Sequence, residues 1–78
     1  MDTNAAIADF DPRQRRFIRI AEVRELTGLS RSYIYSLSAD GLFPRSVPLV
    51  PGGIARAWLY NEVMDWLEGR VVERDIEV

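Results

Sequence analysis

The sequence predicts a mainly helical fold with one small β-hairpin, and three observations carry that prediction. Two short amphipathic segments flank Thr27-Gly28-Leu29-Ser30, which reads as a turn between helices. A Pro51-Gly52-Gly53 turn signal sits midway along a stretch rich in valine, proline and aromatic residues. A third amphipathic segment follows, with Val63, Trp66 and Leu67 at helical spacing. Seventy-eight residues make one domain, and a hydrophobic share of 47% is enough for a compact core.

From the N-terminus, residues 1–12 are small and polar, end in Asp11-Pro12 and read as a flexible arm. The folded domain is expected over residues 13–69. It opens on the basic cluster Arg13-Gln14-Arg15-Arg16, and the alternation in Phe17-Ile18-Arg19-Ile20 suits a short strand. Val23 and Leu26 then share a helical face with Ile20, and Gly28 stands where a left-handed residue ends that helix. Ser30 is a good N-cap for a second helix through about Ala39. At about 100° per residue, Tyr33, Ile34 and Leu37 fall on its core face, and Arg31, Ser32, Tyr35, Ser36 and Ala39 on the other. Asp40-Gly41 stops it, and Leu42-Phe43 pack back.

Residues 45–60 form the hairpin, in which Pro48 confines the first arm to a sheet edge. Arg56 is expected near its tip. Asn61 caps the third helix, which ends near Gly69, and residues 70–78 lack a clear period and read as a frayed tail.

Composition removes much enzyme chemistry. There is no cysteine for a thiolate or disulfide, no histidine for general-base work, and no lysine, because every basic residue is arginine. The paired acids Asp9/Asp11 and Glu22/Glu25 have no acid–base partner, and no metal-binding or nucleotide-loop spacing occurs. Neither enzyme activity, a metal nor a cofactor is expected. No run is long and apolar enough to cross a bilayer and no signal-peptide pattern opens the chain, so a cytoplasmic protein without a membrane partner is expected.

The net charge of −2 conceals a division along the chain. Residues 1–12 carry three aspartates and no arginine, and residues 57–78 carry six acids against Arg70 and Arg74. Between them, residues 13–56 set eight arginines against Glu22, Glu25 and Asp40, a local net of +5. A basic middle between acidic ends is an electrostatic footprint for a nucleic acid.

Two helices about a glycine turn, followed by a hairpin, make a winged helix-turn-helix. Its second helix enters the major groove of double-stranded DNA N-terminus first, and the hairpin is the wing. Ser30, Arg31, Ser32, Tyr35 and Ser36 are the candidate reading residues on that helix, with half-buried packing the alternative for Tyr35. Arg16, Arg19, Arg45, Gly53 and Arg56 are the candidate backbone and wing contacts. Arg15, Arg16 and Arg19 either track phosphates or are simply solvated. One short helix and one wing read few base pairs, so copies side by side on DNA are expected to supply the missing affinity. The acidic net charge keeps a second class open, a winged-helix protein-interaction module that does not touch DNA.

The run from Ile20 to Tyr35 (Ile-Ala-Glu-Val-Arg-Glu-Leu-Thr-Gly-Leu-Ser-Arg-Ser-Tyr-Ile-Tyr) resembles the opening of AlpA regulators and related phage excisionases. Gly41-Leu42-Phe43-Pro44-Arg45, Trp58, Glu62-Val63 and Trp66-Leu67 extend the resemblance, which covers about residues 17 to 69. The first helix also resembles that of MerR regulators, whose DNA-binding fold is related. The resemblance implies a transcription regulator, a recombination directionality factor (excisionase) of a mobile element, or both, with a site-specific integrase as a possible partner. Pro48, Pro51 and Gly52-Gly53 depart from the usual AlpA wing.

Overall fold

The computed structural model describes residues 16–77. The N-terminal arm (1–12), Arg13 and Arg15 lie outside the described residues. Six elements follow in order: β1 (Phe17–Ile18), α1 (Ile20–Thr27), α2 (Arg31–Ala39), β2 (Val47–Pro48), β3 (Arg56–Leu59) and α3 (Tyr60–Glu77). The architecture is mainly helical with a small antiparallel sheet, and its order is that of a winged helix-turn-helix.

The wing is larger than a hairpin alone. β3 lies between β1 and β2 in a three-stranded sheet, pairing Ile18 with Trp58 on one side and Val47 with Ala57 on the other. Pro48 cannot donate to a ladder, and β2 is accordingly an edge strand. Tyr60 extends the seam with β1 by donating its N–H to the Arg16 carbonyl at 2.9 Å.

Each element except β2 contributes a buried side chain to one core: Ile18, Val23, Ile34, Trp58 and Val63, joined by Phe43 from the α2–β2 connection. With so few members each is costly to remove. Trp58 is the largest, and its buried indole Nε1 donates to the Pro44 carbonyl at 3.1 Å. A second indole, Trp66, donates to the Leu42 carbonyl at 2.8 Å and meets the Phe43 ring edge-on. Ser38 Oγ also donates to the Pro44 carbonyl, at 3.1 Å. The Leu42–Pro44 connection is thus held by three side-chain donors, which fixes the wing relative to α2. Leu42 itself does not pack back; only Phe43 does.

The turn between α1 and α2 follows from its residues. Gly28 takes φ +76° and donates its N–H to the Arg24 carbonyl at 2.8 Å, closing α1 with a left-handed residue. Thr27 Oγ1 donates to the Val23 carbonyl and accepts the Leu29 N–H at 3.1 Å. Ser30 Oγ then accepts the Tyr33 N–H at 3.2 Å, the expected N-cap.

Three expectations about the elements are corrected. Gly69 does not end α3, which continues to Glu77. A glycine stops a helix by turning left-handed, and Gly69 keeps an ordinary negative φ, while Arg70 and Glu73 form an i,i+3 ion pair just beyond it. Asn61 does not cap α3, because the helix begins at Tyr60 and the buried Asn61 Oδ1 has no partner among the described residues. Tyr33 is not core but 53% exposed, whereas Tyr35 is half-buried. Ile34 sets the inward direction of α2, and the large Trp58 ring draws Tyr35, not Tyr33, onto the core edge.

Candidate nucleic-acid interface

α2 presents Ser30, Arg31, Ser32, Tyr33 and Ser36 to solvent. Four of these were expected there; Tyr33 is exposed as well, on the flank of the helix away from Arg31. Ser30 has spent an oxygen lone pair on its cap but retains its O–H donor. Tyr35 lies between two layers: its ring packs tilted on Trp58, centroids 5.6 Å apart, and the Arg31 guanidinium stands 5.6 Å from its outer face. That cation–π contact positions Arg31 along the helix surface. Among the described residues neither Arg31 nor Arg45 has a carboxylate partner.

Between α2 and the base of the wing lies an open cleft lined by Tyr35, Ser38, Ala39, Arg45, Ser46 and Arg56. The two arginines there are differently occupied. Arg45 is exposed, whereas Arg56 donates through Nε to Ser46 Oγ at 2.6 Å and through Nη2 to the Ser46 carbonyl at 3.3 Å. The sequence placed Arg56 near the tip; instead its side chain turns back to Ser46 and lines the cleft beside α2, at the base of the wing.

The other two candidate backbone arginines, although exposed, also have partners within the fold. Arg19 Nε donates to the Arg56 carbonyl at 2.9 Å, tying the entry to α1 to the central strand. Arg16 pairs with Glu22 at 2.8 Å and lies 4.5 Å from the Tyr60 ring centroid. Its hydrogen bond to Glu22 raises the guanidinium pKa above its ordinary value. At the tip, Val50 accepts the Gly53 N–H at 2.9 Å, with Pro51 and Gly52 (φ +77°) at the corners. Proline second and left-handed glycine third are what a type II turn requires. A Cβ on Gly53 would stand 3.2 Å from Val50 Cβ and 3.3 Å from its carbonyl, so a side chain there would crowd the turn.

The family described as Prophage CP4-57 regulatory protein (AlpA) matches residues 16–71, which takes in α1, α2, the sheet and most of α3. The chain belongs to the AlpA family. It is also similar to Uncharacterized protein ORF88 of Enterobacteria phage P4, 50% identical over 64 residues that make 82% of this chain and 70% of that one. No solved structure matches. The AlpA family is one of prophage regulatory proteins. Among the described residues, no helix is long and apolar enough to cross a membrane.

Within this AlpA chain, the fold gathers Arg31, Ser32 and Ser36 on one open face and sets Arg45 across the cleft from it. Arg16, Arg19 and Arg56 each have an intramolecular partner, Arg16 and Arg19 while exposed and Arg56 within the cleft. Two exposed residues escaped the sequence reading: Tyr33, and Arg24 in the last turn of α1 beside Ser30. Tyr33 and Tyr35 stand equally far from Ile34 around α2, about 100°, so spacing alone does not choose between them. Nothing in the spacing of Arg24 distinguishes it from a solvated helix residue.

Proposed function

We propose that this AlpA-family protein is a sequence-specific double-stranded DNA-binding regulator of a prophage or related mobile element. α2 reads the major groove and Arg45 holds a phosphate at the wing base. The observation that carries this reading is the open polar face of α2, with Arg31 at its first turn and Arg45 across the adjoining cleft. Arginine in the first turn suits a bidentate grip on a guanine edge. Ser32 and Ser36 add donors and acceptors on the exposed surface next to it.

Control of transcription and direction of excision are two uses of the same binding, and in the second a site-specific integrase is the partner. Copies bound side by side supply affinity that one module lacks. The exposed half of α3 past Arg70, with Val71, Val72 and Ile76 uncovered, is a surface available for such contacts. The site of action is the cytoplasm, where the element's DNA resides.

Selection from a randomised duplex pool tests the reading. Wild-type protein is expected to enrich a recurring motif that footprints as a major-groove contact with a flanking wing contact. Enrichment no greater than with a denatured-protein control contradicts it.

A further inference from the structure

The wing tip is the part of the surface that these contacts leave unused. From Ser46 to Ala55 no side chain is charged. Leu49, Val50 and Ile54 are exposed there, Ile54 by 96%. The core does not require them, since it is built from β1, α1, α2, β3, α3 and Phe43. Their support is stiff: the Val50–Gly53 turn is closed by its hydrogen bond, and Leu49 N–H donates to the Ala55 carbonyl at 2.9 Å.

Such a tip offers a phosphate oxygen no cation. It has what an apolar wedge needs, an aliphatic side chain held out on a narrow, rigid support, able to enter a base step from the minor groove. The charges around it agree with that occupant. Arg45 stands at the base of the same wing, where a DNA backbone would pass, and the uncharged tip lies beyond it. With α2 in a major groove, a wing set beside it faces the adjacent minor groove.

We propose that Ile54, supported by Leu49 and Val50, inserts at a minor-groove base step beside the α2 site and partly unstacks it. The proposal rests on the DNA-binding reading above and adds the mode of wing contact.

The test uses the full chain and a single-site duplex selected by the wild type, with 2-aminopurine placed at successive steps on both flanks. Binding is expected to raise the fluorescence several-fold at one step. Ile54→Ser should abolish that rise and weaken binding about tenfold, the loss expected for one buried aliphatic side chain. Ile54→Leu should restore both, and an unchanged melting temperature in all three proteins shows that the fold is intact. Wild type that binds without unstacking any step, or Ile54→Ser that keeps the rise, overturns the wedge and leaves the DNA-binding reading standing. So does a loss confined to cooperativity on multi-site DNA, which would place a neighbouring copy at the tip. If wild type selects no duplex at all, wedge and underlying reading fall together.

Discussion

Along α2, Arg31, Ser32, Tyr33 and Ser36 are open to solvent, whereas the wing from Ser46 to Ala55 has no charged side chain and exposes Leu49, Val50 and Ile54. The two regions come from the same basic middle of the chain and are joined through Pro44, whose carbonyl accepts from both Ser38 and Trp58. Their difference lies in where the arginines are engaged. On α2, Arg31 rests on an aromatic ring and stays available; at the wing, Arg56 is consumed by Ser46 and its carbonyl by Arg19. Net charge along a segment therefore overstates the number of cations it offers a ligand. What matters is which acceptors the fold brings within reach of each guanidinium.

The largest expected effect strikes both regions together. Trp58→Ala removes the central buried side chain, the packing surface of Tyr35 and a donor to Pro44. A loss of about 3–5 kcal/mol is expected, a large share of what so small a domain has. Urea titration followed by circular dichroism should show a chain close to unfolded in buffer. Near-wild-type stability would mean that helix and wing are held independently.

Arg56 and Arg45 separate the two roles an arginine can take at the wing base. Arg56→Ala should lower stability by about 1–2 kcal/mol through the lost Ser46 hydrogen bonds, leaving the salt dependence of DNA binding unchanged. Arg45→Ala should do the reverse, sparing stability and reducing the salt slope by roughly one counterion. If the two variants exchange phenotypes, the division of labour drawn here is wrong.

Much of this was legible in the sequence, and the physical reason is that local signals were strong where the backbone is special. Gly28, Ser30 and Pro51-Gly52 specify their turns with neighbours a few residues away, and the structure places them as expected. Pro48 likewise announced an edge strand. The intramolecular partners of Arg16, Arg19 and Arg56 were not legible, because they arrive through tertiary contact: Arg19 meets Arg56 across 37 positions. Tyr33 and Tyr35 were exchanged because a short amphipathic helix leaves its inner face ambiguous until Trp58 is in place. The end of α3 was misplaced because glycine at position 69 was read as a stop, although helix-forming residues follow it.

That last point gives the smallest prediction. No atom outside the local helix lies within 4 Å of a Cβ added at Gly69, and its backbone is helical. Gly69→Ala should raise stability by about 0.5–1 kcal/mol and increase helicity by circular dichroism. A loss of stability would indicate that α3 breaks there after all.

The most direct measurement compares wild type with Arg31→Ala on the selected duplex and on a scrambled competitor at one fixed salt concentration. If α2 reads bases through Arg31, the variant should lose about 1–3 kcal/mol of discrimination between the two duplexes, with affinity for the competitor far less affected. Unchanged affinity and selectivity in Arg31→Ala would contradict the assignment of α2 as the reading helix.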